Sequence, residues 1–381
     1  MLKRHPQRMP NPREVRRGQA TPTWASPESA SISVVVPTFN DVGRIGDALT
    51  SIVNQTLPPA EIVVSDDGSD DGTEQLVREF GAARTGHVSV RYVRLPSRSG
   101  VVAARNLGIS VAQGEWIANC DSDDVWASAK LERQASFIRS WRGRQRIALL
   151  GTHGYNMNDA GRVISPAVMG PTTEDDYDSL RRSGGVFYVI HSSVLFRRSD
   201  FSAVGGYSTE YGAADDFDFF CRMAELGVVI NMPEALVYYR KRAGSVQLAR
   251  FWDQRQGVLR LAENQRRRAA GEAHVGRDEF AAQLASAPVW GRFRRRKQAL
   301  GMYYYRSGTA NTANGRLARG GVELLLASIM DGARVRAGLR NAVRGRSSRG
   351  TAPHQSESRA VEASPAPRSA HAGASGATGD E

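Results

Sequence analysis

The chain has 381 residues, 41% of them hydrophobic and 24% charged, and it carries a formal net charge of +12 at pH 7. Such a length suits one large domain or two, and no apolar run approaches the ~18 residues of a membrane-spanning helix. Two cysteines, Cys120 and Cys221, argue for a reducing compartment and against a disulfide framework or a zinc site. The start of the chain is basic and rich in proline, and it lacks the apolar segment of a secretory signal.

The positive charge is unevenly distributed along the chain. Residues 31–249 hold 22 basic and 26 acidic side chains, whereas residues 250–349 hold 21 basic and seven acidic ones, a net +14. This distribution disfavours nucleic acid as a partner of the body and marks a basic C-terminal module instead. Residues 1–30 and 350–381 lack a hydrophobic period and are predicted to be disordered. The predicted organisation is a structured body at 31–249, a basic helical module at 250–349, and two disordered ends.

The first half of the body alternates short apolar strands with amphipathic helices. Unbroken apolar runs indicate buried strands, and apolar residues three or four apart indicate helices. The predicted strands cover residues 31–36, 61–65, 88–93 and 114–118, and the predicted helices cover 44–55, 73–80 and 101–111. This alternation indicates a doubly wound α/β fold with a mainly parallel, Rossmann-like sheet.

The second half of the body is less regular. Strands are predicted at 148–151, 194–196, 228–232 and 235–239, and helices at 130–141 and 215–227. Residues 153–190 form a polar stretch without a clear period, and Gly205 and Gly206 are predicted to form a turn. After Arg250 the pattern is helical and rich in arginine, which predicts a helical C-terminal extension.

Three carboxylates follow the fourth predicted strand, in the segment Asn119–Asp124. Side chains two residues apart in an extended chain point the same way, about 7 Å apart, so we expect Asp121 and Asp123 to face one cleft. Two converging carboxylates repel unless a cation lies between them, and a divalent cation with phosphate ligands suits this spacing. The alternative is a solvated acidic turn in which Asp124 or Ser128 caps the next helix.

Three polar segments lie where predicted parallel strands end: Pro37–Asn40, Asp66–Ser69 and Asp121–Asp124. Ligands of such sheets bind beyond the carboxyl ends of the strands, so we expect one cleft to collect all three segments. Within the second segment, Asp66 and Asp67 have two interpretations. They form either a tight turn that caps the following helix, or hydrogen-bond acceptors for a base or a ribose.

Charged residues outside these segments also have two interpretations each. Arg105, on the third predicted helix, is either an ordinary surface residue or a bidentate clamp for phosphate. Asp215 and Asp216 open a later helix, where they either stabilise its positive end or supply a general base for an incoming hydroxyl. His153 and His191 stand alone in the sequence and receive no role.

The order of these motifs resembles family 2 glycosyltransferases over residues 31 to about 245. The matching segments are Val36–Asn40, Gln55-Thr56, Glu61–Thr73, Ala104–Asn106 and Asp121–Asp124. The resemblance implies a GT-A fold and an inverting enzyme of EC class 2.4 that uses a nucleoside-diphosphate sugar. Carried over by position, the resemblance implies a site for the nucleotide sugar, formed by Pro37, Thr38, Asn40, Asp66, Asp67, Arg105 and Asp121. It also implies a DxD-type site for a divalent cation, Mg²⁺ or Mn²⁺, formed by Asp121, Asp123 and Asp124. The catalytic pair would be Asp215 and Asp216, with Asp216 as the base.

Two positions depart from the pattern of that family. Asp215 stands where the family more often has Glu, and the substitution keeps the charge. Arg242 stands two residues after Tyr239-Arg240, where the family often has His. The role of that histidine in relatives therefore does not transfer to this chain.

The resemblance implies sugar transfer to a hydroxyl of a cell-surface glycan or a lipid-linked saccharide, in cell-envelope polysaccharide biosynthesis. Two other functions stay open. A sugar-phosphate nucleotidyltransferase needs a Gly-rich basic loop after the first strand, where this chain has Pro37–Asn40. The second open function is a non-enzymatic scaffold with a basic surface. Hydrolysis of a nucleotide sugar by the purified protein would indicate an enzyme rather than such a scaffold.

The composition of the basic module predicts the location of the protein in the cell. A dense basic run, Arg292–Lys297, is flanked by Trp290 and followed by Tyr303–Tyr305 and the apolar Val322–Ile329. Basic side chains interleaved with aromatic ones suit an anionic lipid surface, which predicts a cytoplasmic protein that binds peripherally to the inner face of the cell membrane. The alternative is a helical appendage packed on the body, and nucleic-acid binding is a third option.

Overall fold

The structure, a computed structural model, describes residues 31–83, 88–242 and 246–347. The two ends that were predicted to be disordered lie outside these residues. The chain divides into two compact units, and all of the packing described below belongs to the first, Met1–Val335. Of the second unit, Arg336–Glu381, the structure describes a helical backbone as far as Ser347.

A single sheet organises the described residues. Its strands are β1 (Ile32–Thr38), β2 (Glu61–Asp66), β3 (Ser89–Arg94), β4 (Trp116–Asn119), β5 (Val125–Trp126), β6 (Ile147–Met157), β7 (Val163–Ala167), β8 (Leu195–Arg197) and β9 (Val228–Arg240), in the spatial order β3-β2-β1-β4-β8-β6-β9-β5 with β7 paired to β6. The pairs β1–β2, β2–β3 and β1–β4 are parallel, so the first four strands end at one edge. β8 joins β4 antiparallel, and β6 and β9 run parallel to each other.

Helices cover both faces of the parallel part. The helices are α1 (Val42–Val53), α2 (Thr73–Ala82), α3 (Val101–Val111), α4 (Lys130–Ser140), α5 (Glu174–Arg182), α6 (Arg198–Ala203), α7 (Asp215–Met223), α8 (Val246–Ala249), α9 (Phe251–Ala270), α10 (Arg277–Ser286), α11 (Val289–Ala313) and α12 (Leu317–Ser347). Alternate residues of β1 enter different apolar clusters: Val34 packs with Leu49 of α1, and Val35 packs with Ile109 of α3. Burial on both faces explains the unbroken apolar sequence of these strands.

The predicted α/β class is confirmed, and the boundaries of α3 agree with the prediction. β1 continues through Pro37, where the sequence predicted a break, because the parallel register with β2 holds as far as Thr38. The two predicted closing strands are one strand, β9, whose register against β6 shifts near Thr152 and His153. The polar stretch 153–190 contains β7 and α5, which the sequence analysis missed.

The C-terminal module begins by packing on the body. Phe251 and Leu261 of α9 are buried, and Leu261 belongs to the main apolar cluster of the body. Gly257 lies against the carbonyl of Tyr211, where an added Cβ would come within 2.1 Å of that oxygen. For α9, the predicted alternative of a helix packed on the body is therefore what the structure shows.

Helices α11 and α12 form a hairpin whose close approach depends on small residues. An added Cβ on Gly301 would come within 2.7 Å of Asp331 Cβ, and one on Gly308 within 2.9 Å of Leu324. The connection between the two helices contacts the body, where Asn314 Nδ2 donates to the carbonyl of Lys241 at 2.9 Å. Within the described ranges, no helix has the length and apolar character needed to cross a membrane.

Candidate active site

The polar segments after β1, β2 and β4 contact one another at the carboxyl edge of the sheet. Asn40 adopts a left-handed conformation, with φ of 47°, and its Nδ2 donates to Asp70 Oδ1 at 2.8 Å. On the other side, Ser122 Oγ donates to Asp41 Oδ2 at 2.7 Å. The parallel register thus brings the three predicted segments into one region, as expected from the positions of the strand ends.

Asp66 and Asp67 are buried and accept hydrogen bonds from the protein. Asp66 Oδ1 accepts from the N–H and the hydroxyl of Ser69 at 2.9 and 2.7 Å, and its Oδ2 accepts from the hydroxyl of Tyr92. Asp67 Oδ1 accepts from the N–H groups of Ser99 and of the next residue at 2.6 and 2.9 Å, directly before α3. The contacts of Asp66 agree with the interpretation of a tight turn, and Asp67 binds the segment before α3. The predicted cap is wrong, because α2, the helix that follows this turn, begins after Gly72 without a side-chain cap.

Arg105 links the two acidic motifs. Its Nη1 donates to Asp215 Oδ2 at 2.6 Å, and its Nη2 lies 3.4 Å from Asp121 Oδ1. The residue is 8% exposed, and its guanidinium carbon lies 5.5 Å from the ring centroid of Tyr207. In the sequence Arg105 was a candidate phosphate clamp, and in the structure it bridges carboxylates from the end of β4 and the start of α7.

A second group of buried side chains holds Asp121 from the other side. His191 Nδ1 lies 3.2 Å from Asp121 Oδ1, and His191 Nε2 lies 2.9 Å from the hydroxyl of Tyr207. Asn119 Nδ2 donates to the same hydroxyl at 2.7 Å. Sequence reasoning gave these three residues no role. The available signal was the turn Gly205-Gly206, whose φ angles of 78° and 73° suit glycine and direct Tyr207 into the site.

Burial and neighbouring charges act in opposite directions on this group. Burial alone would raise the pKa of Asp121, but His191 and Arg105 outweigh burial and hold that pKa below its usual range. Burial, together with the positive charge of Arg105, lowers the pKa of His191. The group therefore favours an ionised Asp121 beside a neutral imidazole at pH 7.

The last two carboxylates of the acidic motif point to different partners. Asp124 is fully buried, and its two oxygens accept from the N–H of Arg240 at 2.8 Å and from the hydroxyl of Ser192. Burial raises the pKa of Asp124 well above its ordinary value. The side chain of Asp123 is 19% exposed and lies 3.0 Å from Arg242 Nε. Burial raises the pKa of Asp123 to about 6, against the opposing effect of Arg242.

Asp215 and Asp216 begin α7 and have different environments. Asp215 is the ion-pair partner of Arg105, whereas Asp216 Oδ1 accepts a hydrogen bond from the N–H of Phe217 at 2.9 Å. Burial and the charge of Asp215 raise the pKa of Asp216 to about 7, with Arg105 acting against them. Two adjacent carboxylates are thus divided into a fixed counter-ion and a group that can exchange a proton near neutral pH.

The family model described as Glycosyl transferase family 2 matches residues 33–205. We refer to these matched residues as the family 2 region. The family 2 region includes the segments after β1, β2 and β4 together with His191, and it ends at the turn before Tyr207. The acidic pair at α7 lies beyond the matched residues.

Curated relatives match the family 2 region and its surroundings. The chain is 35% identical over 153 residues to the "Putative teichuronic acid biosynthesis glycosyltransferase TuaG" of Bacillus subtilis, covering 40% of this chain and 58% of that protein. It is 35% identical over 107 residues to the "UDP-Glc:alpha-D-GlcNAc-diphosphoundecaprenol beta-1,3-glucosyltransferase WfgD" of Escherichia coli, covering 28% and 40%. The chain thus spans 58% and 40% of the lengths of these two relatives.

Solved structures also resemble the chain. Residues 1–349 of TarS from S. aureus, in complex with UDP, cover 80% of this chain and 91% of that chain at 18% identity and a TM-score of 0.48. The mannosyltransferase PcManGT from Pyrobaculum calidifontis, in complex with GDP-Man and Mn²⁺, covers 79% and 89% at 20% identity and a TM-score of 0.48.

The acidic motif of the family 2 region fits a cation in part. Across residues 31–83, 88–242 and 246–347, no group of three His, Cys, Asp or Glu side chains is arranged to hold a metal ion. Asp124 does not fit, because both of its oxygens already accept hydrogen bonds from the protein. Asp121 and Asp123 keep 26% and 19% of their side chains exposed, which suits a cation that takes its other ligands from phosphate and water. The positive charge beside Asp123 in this structure is the guanidinium of Arg242, which also lies 3.3 Å from Asp41.

Two predicted nucleotide-side residues lie at the end of β1. Pro37 and Thr38 pair in register with Ser65 and Asp66 of β2. Thr38 is buried, and among the described residues its hydroxyl has no hydrogen-bond partner. A buried hydroxyl without a partner is costly, so a ligand atom at this position would be stabilising.

Proposed function

We propose that this chain transfers a sugar from a nucleoside-diphosphate sugar to a hydroxyl of a cell-surface glycan or a lipid-linked saccharide. The match to glycosyl transferase family 2 over residues 33–205 and the names of the relatives support this activity, among them the "Amylovoran biosynthesis glycosyltransferase AmsB" of Erwinia amylovora. The observation that carries the chemistry is the division of the acidic pair. Asp215 is fixed by Arg105, while the pKa of Asp216 is raised to about 7.

In this proposal the donor occupies the carboxyl edge of β1 and β2. Thr38 offers an unpaired hydroxyl, and Asp67 offers a carboxylate whose present partners are the N–H groups before α3. A base that donates an N–H competes with those backbone donors for Asp67. Pro37, Asn40 and Asp66 shape the loop that holds the donor, since Asp66 and Asn40 tie it to neighbouring residues.

The proposed reaction is a single in-line displacement. The oxygen of the acceptor hydroxyl attacks the anomeric carbon, its proton passes to Asp216, and the bond from that carbon to the nucleoside diphosphate breaks. One displacement inverts the anomeric configuration. Arg105 keeps Asp215 and Asp121 in position around the reacting centre through its contacts of 2.6 and 3.4 Å.

Asp123 and Asp121 would hold the divalent cation, which supplies positive charge to the departing diphosphate. The exposed parts of both side chains support this assignment. Arg242 adds a fixed positive charge in the same place, 3.0 Å from Asp123, where the family often has His. We propose that Arg242 shares in neutralising the leaving group, because a guanidinium binds phosphate oxygens in a bidentate fashion.

A thermal-shift screen of nucleoside diphosphates, with and without Mn²⁺, tests the donor side of the proposal. A ligand that binds the folded protein stabilises it by RT ln(1 + [L]/Kd), so the stabilising nucleotide names the base. The corresponding nucleotide sugar is then incubated with acceptors, and NMR of the product reports the anomeric configuration. Absence of any stabilising nucleotide, or retention of configuration in the product, would contradict the proposal.

We further propose that the surface of α11 near its start contacts an anionic membrane. Trp290 and Phe293 are 81% and 59% exposed, within the basic run Arg292–Lys297. Exposed aromatic side chains among cations suit the lipid interface, where each Lys or Arg contributes about 1 kcal/mol. This surface, rather than α9, carries the proposal, because α9 is packed on the body.

Co-sedimentation with anionic and neutral vesicles over a salt series tests this contact. We expect salt-sensitive binding to anionic vesicles that the double substitution Trp290→Ser and Phe293→Ser reduces about tenfold, about 1.4 kcal/mol. Val168→Ser, at an exposed apolar position of the body, is the matched control and should leave binding unchanged. Equal binding by the double variant, or no binding by the unaltered chain, would contradict the membrane assignment.

A further inference from the structure

A large apolar cleft lies between the body and the C-terminal helices, beside the acidic pair. Its volume is about 770 Å³. The side chains and backbone that line it come from the segment before α5, from α5 to Tyr188, from α7, from α9 and from α11: Gly170, Pro171, Asp176, Leu180, Val186, Tyr188, Phe217, Phe251, Gln254, Arg255, Val258, Leu259, Ala262, Met302 and Arg306. Protein interiors contain few voids larger than a water molecule, and ligand sites range from about 300 to 1,000 Å³, so this cleft has the size of a binding site.

The cleft adjoins the proposed general base through Phe217, the residue after Asp216. Phe217 packs edge-on against Tyr188, with 5.0 Å between the ring centroids, and both rings line the cleft. Burial raises the pKa of Tyr188, and the charges that act on its phenol include Arg306, Arg255 and Asp216. Tyr188 and Phe217 thus connect the start of α7 to the cleft whose walls carry Arg255 and Arg306.

The lining has the chemistry of a site for an amphiphile. Most of the walls are aliphatic or aromatic, and Arg255 and Arg306 contribute two cations. Arg306 Nη1 donates to Gln254 Oε1 at 3.2 Å, and its guanidinium carbon lies 5.6 Å from the ring centroid of Phe251. Asp176, the acidic residue of the lining, accepts from the hydroxyl of Thr173 at 2.7 Å, at the start of α5. Hydrocarbon suits the walls, and a phosphate suits the two arginines of the lining.

We propose that this cleft binds the hydrocarbon chain of an acceptor in which a sugar is joined through phosphate to a lipid. In this arrangement the sugar hydroxyl lies at Asp216 and the phosphate lies beside Arg255 and Arg306. The hydrocarbon chain of the acceptor lies against α9 and α11. This inference rests on the proposed sugar transfer and narrows its acceptor to a lipid-linked one. It also gives the C-terminal module a direct part in the acceptor site, because α9 and α11 form one wall of the cleft.

Farnesyl phosphate, below its micelle concentration, is the probe for direct binding, measured by calorimetry on the full chain. Farnesol and inorganic phosphate are tested separately, so that the contributions of the hydrocarbon chain and of the phosphate to the affinity can be distinguished. Ala262→Phe fills the cleft from α9, and Ala269→Phe, at an exposed position of the same helix, is its control. We expect Ala262→Phe to weaken farnesyl phosphate binding at least tenfold and Ala269→Phe to leave it unchanged.

A second pair of variants tests the charge and remains informative if Ala262→Phe does not fold. Arg306→Gln removes the charge and keeps a polar side chain that can donate hydrogen bonds, and Arg266→Gln does the same at an exposed position of α9. We expect Arg306→Gln to weaken farnesyl phosphate several-fold and farnesol not at all, with no effect of Arg266→Gln. Farnesyl phosphate binding that neither Ala262→Phe nor Arg306→Gln weakens would overturn the proposal, as would the absence of binding to the unaltered chain.

Transfer assays separate failure of this inference from failure of the proposed function. The same sugar is offered as a farnesyl-phosphate-linked acceptor and as a methyl glycoside. Faster transfer to the lipid-linked form, lost in Ala262→Phe but not in Ala269→Phe, supports the cleft as the acceptor site. Transfer to both acceptors at the same rate, unaffected by Ala262→Phe, would overturn the cleft proposal and leave sugar transfer standing. Binding that depends on the cleft, without transfer to either acceptor, would count against the proposed function alone.

Discussion

The carboxylates at the end of the parallel strands and the carboxylates of α7 differ in how the protein uses them. Asp66, Asp67 and Asp124 are buried and accept hydrogen bonds from backbone and hydroxyl donors. In α7, Asp215 is ion-paired and Asp216 is left with a pKa raised to about 7. Burial raises the pKa of Asp124 as well, but both oxygens of Asp124 are held by protein donors, whereas Asp216 accepts a hydrogen bond at one oxygen, from the N–H of Phe217. Hydrogen bonds to both oxygens fix the position of a carboxylate, and a raised pKa on a less constrained carboxylate lets it take a proton near neutral pH. In our proposal the strand ends therefore form a preorganised frame, and α7 supplies the general base.

The largest effect is expected from Asp123→Ala, because Asp123 is the partly exposed carboxylate of that frame. A metal ion contributes several kcal/mol to stabilising transition-state charge, so we expect transfer to fall by about 10³-fold or more. Nucleotide binding should lose its dependence on Mn²⁺ while the circular dichroism spectrum stays unchanged. Asp159→Ala, at an exposed position between β6 and β7, is the control. Near-full activity of the unaltered enzyme in chelator would show that the metal assignment is wrong.

Asp215→Asn should mainly reduce the stability of the protein, because in our proposal Asp215 holds Arg105 and Asp216 accepts the proton. The substitution removes the carboxylate at 2.6 Å from Arg105, while Asp121 stays at 3.4 Å as a second partner. We expect a loss of about 1–3 kcal/mol in the free energy of unfolding, below the full cost of breaking a buried ion pair. Urea denaturation measures it, and the decrease in transfer rate should be milder than that of Asp216→Asn. An unchanged midpoint would contradict the ion pair as a structural link between α3 and α7.

The raised pKa of Asp216 also predicts a dependence of stability on pH. The pKa of Asp216 is near 3.9 in the unfolded chain and is raised to about 7 in the folded one. Ionisation of Asp216 therefore lowers the free energy of unfolding progressively between pH 4 and 7, and this loss of stability is constant above pH 7. Asp216→Asn should therefore stabilise the protein by about 1–3 kcal/mol at pH 8 and by little at pH 4. Thermal unfolding of both proteins over this pH range measures the difference. A difference that does not change with pH would contradict the raised pKa.

The sequence predicted the parallel half of the fold because each of its strands is buried on both faces and each helix has one apolar stripe. It also predicted that Pro37–Asn40, Asp66–Ser69 and Asp121–Asp124 would meet, since this follows from the positions of the strand ends. It did not predict that His191 and Tyr207 hold Asp121. They reach the site through β8 and a glycine turn, whose positions depend on antiparallel pairing that has no periodic signal in the sequence.

The partners of the charged residues were equally out of reach of the sequence. Arg105 is separated from Asp215 by 110 residues, and Arg242 from Asp41 by 201. Spacing along the chain cannot specify such pairs, because only the closed sheet brings them together. The apolar cleft is lined from α5, α7, α9 and α11, whose separate sequences carry no sign of a shared cavity.

Kinetics of Asp216→Asn, measured together with donor affinity on the same preparation, test the central claim most directly. The claim is that α7 supplies the proton acceptor and the strand ends bind the donor. The account predicts that kcat falls by about 10²- to 10⁴-fold, as is typical for a lost general base, while the Kd for the nucleotide sugar is unchanged. A variant that retains its kcat, or one that loses donor affinity in proportion to its rate, would contradict the assignment of Asp216 as the base.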